Sequence, residues 1–278
     1  PGSPTGVAFG YGAKFPAKYQ DAFYICDWSY GKLYAVHLEE DGSTYSGSFE
    51  EFVTGSPLPL TDIVVHPGDG ALYFTVGGRR TQSALYRVVY TGDASTAPSA
   101  PGDDPAAARA RELRESLEFF QRPGAPDLGI NFAWRHLNNP DRFIRSAART
   151  VLEHQPMSTW INRLTDETSP ARKLAASLAL ARVGARDLEG RPESAMKNLQ
   201  NQILAAIDSV DFDELPLQLQ LEALRVQSLA FIRLGEPSGE WKYRISGHIE
   251  SLLPSEHREI NSEGLQILVY LQSPKAAE

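Results

Sequence analysis

The 278-residue chain is poor in sulfur, with one cysteine and two methionines. A single thiol, Cys26, closes no internal disulfide and cannot by itself build a thiolate metal centre or a haem attachment site. No apolar run approaches the roughly 18 residues of a membrane-spanning helix. Positive charge is in deficit. The 27 Lys and Arg stand against 35 Asp and Glu, a formal net charge of −8, and both halves of the chain are mildly acidic. A nucleic-acid partner calls for a concentrated basic face, so none is expected. The nucleophile elbow Gly-x-Ser-x-Gly, the zinc signature His-Glu-x-x-His and the haem motif Cys-x-x-Cys-His do not occur. The six histidines (His37, His66, His136, His154, His248 and His257) have no partners at metal-ligand spacing and read as structural or surface residues.

What is present points to two domains of different class. Leu60 to Tyr90 holds three short runs rich in β-branched and aromatic residues: Thr61–His66, Ala71–Val76 and Ala84–Tyr90. Pro67-Gly68-Asp69-Gly70 makes the first join, and a polar loop from Gly77 to Ser83 the second. Upstream lie Pro4–Gly10, Ala22–Asp27, Lys32–Leu38 and Tyr45–Val53, four more candidate strands. The two groups echo each other. Tyr24 aligns with Tyr73, and Tyr34 with Tyr86 once the longer second loop is allowed for. A period of about 50 residues with four short strands per unit is a β-propeller blade pattern. Residues 1–92 are therefore expected to be the terminal blades of a propeller. Because the chain opens at Pro1 inside strand-like sequence, it is expected to be a segment of a longer protein whose earlier blades precede it.

Blade topology places the turn after the second strand and the approach to the next blade on one rim. That groups Asp27, Trp28 and Tyr30 with Asp62, Arg79, Arg80, Thr81 and Gln82 as candidates for binding a small-molecule ligand. Turns need polar residues in any case, so the same side chains also suit a purely structural role. Asp27 and Asp62 are candidates for a carboxylate pair, and Cys26 reads as a small buried hydrophobe. Gly77-Gly78-Arg79-Arg80 is no phosphate loop, because no Lys-Ser/Thr follows into a helix.

Residues 93–105 are rich in Ala, Ser, Pro, Gly and Asp and read as an exposed linker. From residue 106 to 278 the hydrophobic period becomes helical. Helices are expected over Ala106–Gln121, Asp127–Leu137, from Asp141 to about His154, from Pro170, and over Glu193–Ser209, Leu217–Leu234, Gly239–Leu253 and Glu256–Gln272. Two segments repeat Pro, a basic residue, an Ala pair and an aliphatic tail, with Pro140 and Pro170 about 30 residues apart. This is a HEAT-like pattern, in which paired helices stack into an α-solenoid. Such a surface is a candidate for binding a protein partner. Arg142, Arg145 and Arg149 recur at helical spacing and read as solvated or paired, and Trp134 and Trp160 as inter-helix core.

The run GALYFTVGGRRTQSALYRVVYTG, with FPAKYQDAFYICDWSYGKLYAVHL before it, resembles the C-terminal blades of glucose/sorbosone dehydrogenase-like propellers. The junction to helices is similar to that of the large membrane-bound dehydrogenases typical of planctomycetes. In those proteins the propeller leads into HEAT-like helices and often a cytochrome c domain. The resemblance implies a parent oxidoreductase acting on a sugar or alcohol, exported or periplasmic, that passes electrons to a haem c outside this chain. Soluble relatives hold pyrroloquinoline quinone with a Lys and two Arg. Here Ser29, Pro59 and Thr61 stand at those positions, so the quinone is not implied for this chain, and no cofactor is assigned to it. This segment itself is not expected to be catalytic, and the absence of those basic groups favours for it an alternative class of function: a non-catalytic propeller–solenoid binding or scaffold module.

Overall fold

The structure, a computed structural model, describes residues 2–78, 80–99, 102, 104–122 and 126–277. The chain divides into two compact units, Pro1–Arg111 and Glu112–Glu278. The first is built of antiparallel sheet and the second of helices.

Seven strands make two open sheets, and no closed ring forms among the described residues. In the first sheet β1 (Pro4–Phe9), β2 (Phe23–Asp27), β3 (Lys32–Asp41) and β4 (Thr44–Thr54) follow one another in chain order. In the second, β5 (Leu60–Val65), β6 (Leu72–Gly78) and β7 (Thr81–Val88) do the same. A one-turn helix, α1 (Ala17–Gln20), interrupts the segment read as loop between β1 and β2. The expected polar loop from Gly77 to Ser83 is corrected. β6 runs through Gly78, β7 starts at Thr81, and these two residues pair across the ladder. A tight turn therefore replaces the loop. Arg80, just before β7, has φ 64°, in the left-handed region.

The sheets stack through one apolar layer. Tyr24, Cys26, Leu33 and Ala35 of the first meet Leu60, Ile63, Leu72 and Phe74 of the second. Strand pairing fixes which repeat positions face inward. Tyr34 lies opposite Ile25, and Tyr86 lies opposite Phe74, so the alignment of the two repeats holds in three dimensions. Yet the buried faces are opposite ones: Tyr24 is buried while its counterpart Tyr73 is only half-buried, and Phe74 is buried while its counterpart Ile25 is half-buried. The units thus stack front to back, in the same sense. As a result the first sheet turns outward the very positions that the second sheet buries. Val7 and Phe9 are 52% and 42% exposed, whereas Ile63, at the same ladder position as Val7, is 5% exposed.

Where β1 crosses β5 the backbones come close. A Cβ on Gly6 would lie 2.4 Å from the Asp62 Cα, so only glycine fits. Gln20 anchors the chain after the second sheet. Its buried amide donates to the Phe15 carbonyl (2.7 Å) and the Ala97 carbonyl (2.9 Å) and accepts from the Ser99 N–H (3.1 Å).

The division between units falls within α2 (Pro105–Phe119). After it come α3 (Pro126–Trp134), α4 (Arg142–His154), α5 (Arg163–Asp166), α6 (Pro170–Asp187), α7 (Glu193–Asp208), α8 (Leu217–Leu234), α9 (Gly239–Leu252) and α10 (Arg258–Tyr270). Each long helix lies within a few residues of its expected span. The starts have local causes: Asp141 accepts from the Phe143 N–H (2.8 Å) to cap α4, and Pro170 occupies the first turn of α6. α4 packs on α6, α6 on α8 and α8 on α10, forming one layer, while α7 packs on α6 and α8, and α9 on α10. Trp160 is wholly buried, and Trp134 is buried with its indole N–H donating to Glu167 (2.6 Å).

Gly6→Ala is expected to destabilise the chain by about 2 kcal/mol, because the added methyl meets backbone rather than a movable side chain. Gly247→Ala, with open space around it in α9, should instead gain up to about 1 kcal/mol. Urea unfolding of the two variants checks both signs.

Candidate functional site

The turn from Asp27 to Gly31 and the turn between β6 and β7 converge. Trp28 makes the junction: its indole N–H donates to the Gly77 carbonyl (2.8 Å), and its six-membered ring covers Gly78, where a Cβ would sit 3.0 Å away. Of the residues grouped on the rim, Trp28 and Thr81 are thereby brought together, since Thr81 pairs with Gly78. Thr81 and Gln82 belong to strand β7, not to a loop, and Thr81 pairs with Gly78 in the ladder. Arg80 is exposed in the turn, and Tyr30 presents an exposed ring. Arg79 lies outside the described residues.

Asp27 is buried and its Oδ1 is fully used. It accepts from the backbone N–H groups of Ser29 (2.9 Å), Tyr30 (3.0 Å) and Ser3 (3.3 Å). This knots the β2–β3 turn to the entrance of β1. Asp62 sits elsewhere, at the sheet crossing beside Gly6, and accepts from the Ile63 N–H (2.9 Å). Asp27 thus serves main-chain donors of its turn and of the β1 entrance, and Asp62 the N–H that follows it in β5. Burial pushes the Cys26 thiol up to about 11, and the neighbouring Asp62 charge adds to the effect. Such a thiol stays protonated and unreactive at neutral pH.

Two charged clusters on the same unit are also accounted for by local structure. Asp69 accepts from the Ala71 N–H (3.0 Å), the Tyr73 hydroxyl (3.0 Å) and Arg87 Nη2 (2.9 Å). The Ala71 N–H, and after it Arg87 and Tyr73, hold its carboxyl well below the usual aspartate range although desolvation opposes them. The cluster ties the β5–β6 turn to β7. His37 lies against Glu50 (2.9 Å) and the Lys18 carbonyl (3.2 Å), and Lys18 reaches the same Glu50 (3.1 Å). Among the described residues no group of three or more His, Cys, Asp or Glu side chains is disposed to hold a metal ion.

The helical unit holds a feature that sequence reading reached only in part. Arg142, Arg145 and Arg149 share one face of α4, as their spacing requires. That face borders a groove whose other walls come from α6 and α8, including Glu222 and Arg225. The spacing signal was available, but its partners lie far along the chain. No family model, no curated protein and no solved structure matches this chain.

Two outcomes test these assignments. Dithionitrobenzoate should leave Cys26 unlabelled in the folded chain at pH 8 and label it fully in guanidinium, since both burial and a raised pKa protect it. Because the folded-state pKa of Asp69 is depressed, its contribution is in full force above the ordinary aspartate value and is lost as the pH falls below it. The gap in thermal midpoint between the native chain and Asp69→Asn should therefore shrink between about pH 5 and about pH 2.

Proposed function

We propose that this chain is a non-catalytic binding and scaffold segment of a larger oxidoreductase. In this reading the two sheets are terminal blades of a β-propeller of the glucose/sorbosone dehydrogenase-like kind, and the helices form a HEAT-like solenoid. One observation carries it: the front-to-back stacking of two repeats, with Val7 and Phe9 facing outward where Ile63 and Val65 of the next repeat face inward. A surface whose equivalents are buried one repeat later suits another unit of the same kind in front of it. Head-to-tail repetition of this sort closes rings.

The rim chemistry supports the non-catalytic half of the reading. Asp27 and Trp28 are spent on holding turns and sheets. The residues at the quinone-binding positions do not suit pyrroloquinoline quinone: the Ser29 hydroxyl bonds Ser3 (2.8 Å), the Thr61 hydroxyl bonds Thr75 (2.8 Å), and Pro59 offers no donor. A basic partner for the quinone carboxylates is therefore lacking at all three. Electron transfer in the parent falls, on this proposal, to a haem c domain outside these residues.

Two measurements decide it. A reduced-minus-oxidised visible spectrum of the native full-length protein should show a c-type haem signature, and a featureless spectrum would remove the oxidoreductase context. Residues 1–278 alone should show no sugar-dependent dye reduction with added quinone, and measurable turnover would sink the scaffold reading. The blade assignment has its own test. Val7→Asp should destabilise the full-length protein by about 2 kcal/mol, as a charge placed in a core does. In residues 1–278 alone it should have little effect on stability.

A further inference from the structure

The helical unit carries a groove of about 510 Å³ along the layer formed by α4, α6 and α8. Its floor is apolar, with Ala171 and Ala175 from α6 and Leu219 and Val226 from α8. Its walls are basic. Arg142, Arg145 and Arg149 stand along one side and Arg225 on the other, against a single lining acid, Glu222. This local surplus of positive charge lies on a chain whose net charge is −8.

The four arginines are not equivalent. Arg149 is paired with Glu153 (2.9 Å) and Arg225 with Glu263 (2.7 Å). Arg142 and Arg145 make no such direct pair among the described residues, although the Glu222 carboxylate acts electrostatically on Arg145. The Arg145 guanidinium is held in place by the carbonyls of Asn139 (2.6 Å) and Pro140 (2.9 Å), which fix its position without cancelling its charge. Arg142 rests on the Phe143 ring, 4.5 Å from its centroid. Glu222 is half-buried among them. Desolvation raises its pKa, while the Arg145 and Arg149 charges oppose that rise.

We propose that this groove binds an acidic peptide segment of a partner protein, with its carboxylates on Arg142 and Arg145 and an apolar side chain on the Ala175–Val226 floor. Three features select this occupant. Guanidinium groups with open donor positions recognise carboxylates in a forked geometry. The apolar floor gives a peptide side chain something to bury, which an inorganic anion lacks. Among the described residues no aromatic ring lines the groove, so stacked nucleic-acid bases would find no platform there. The inference rests on the binding-module reading of the helical unit and is independent of the propeller and of any haem.

The test uses residues 1–278 and fluorescence anisotropy with a fluorescein-labelled peptide of repeated Glu-Glu-Leu. Repeated Lys-Lys-Leu and Glu-Glu-Ser peptides and an oligothymidylate serve as comparisons. The Glu-Glu-Leu peptide is expected to bind best, and more weakly as salt is raised. Arg142→Glu should weaken it about ten-fold, whereas Arg142→Lys should retain most of the affinity. Arg233→Glu, an exposed change on α8 outside the groove, alters the net charge equally and should leave binding unchanged. Equal losses in Arg142→Glu and Arg233→Glu would reduce the effect to bulk charge and overturn the proposal. So would the absence of Glu-Glu-Leu binding, or tighter binding of the oligothymidylate. Arg142 is exposed and supports no helix contact beyond its own neighbour, so the variant is expected to fold, and circular dichroism verifies that. Because the haem spectrum of the full-length protein is read separately, failure of the peptide test leaves the oxidoreductase reading standing, and the reverse.

Discussion

The stacking of one sheet on the other governs the first unit. Two sheets of about the same plan meet in the same sense, so a single apolar layer serves the inner side of one and the outer side of the next. The requirement that β1 lie directly against β5 leaves room for no side chain at Gly6. It also sets Asp62 beside Cys26 and carries Trp28 over the end of β6. The polar groups around the junction then have little freedom. Asp27 supplies an acceptor for two N–H groups of its own turn, those of Ser29 and Tyr30, and for the Ser3 N–H at the entrance of β1. Of the polar residues grouped on the rim, Asp27 and Trp28 are used in fastening this junction.

The helical unit distributes its charge differently. Glu153 accepts from Arg149 of its own helix and from Arg182 of the next (2.8 Å), so part of the arginine array is consumed in stitching α4 to α6. Arg225 does the same between α8 and α10 through Glu263. Glu153 is buried, whereas the more exposed Arg225–Glu263 pair adds little stability by itself. The larger effect of these pairs is to leave Arg142 and Arg145 as the groove arginines that make no direct ion pair among the described residues, with Glu222 the one lining acid near Arg145. Carbonyl oxygens hold Arg145 in place at an orientation that keeps part of its donor fork open.

Much of this was legible from residue patterns. Seven strands and the main helices could be placed because alternation and three-to-four spacing are local signals, and Pro, Gly and Asp mark their ends. Leu217–Leu234 is bounded by Pro216 and Gly235, and its observed limits coincide with the expected ones. The turn between β6 and β7 was misjudged because Thr81, Gln82 and Ser83 are as polar as loop residues. Exposed strand residues may be of any polar type, and only pairing with Gly78 shows that Thr81 is in the ladder. Likewise Arg163–Asp166 and Met157–Thr159 are too short to carry a period.

Local sequence by itself determined the two classes of structure, their order along the chain, the repeat that relates Tyr24 to Tyr73, and the burial of Cys26. Each depends on residues near one another in the chain, where steric preference and hydrophobic period act directly. Tertiary structure alone decided which face of each sheet is covered, that Asp27 and Trp28 are used as fastenings, and that Glu222 and Arg225 stand across from Arg142 and Arg145. Those outcomes depend on which surfaces meet. A repeat shows every unit the same face, and only the packing of one unit on the next determines whether that face is core or surface.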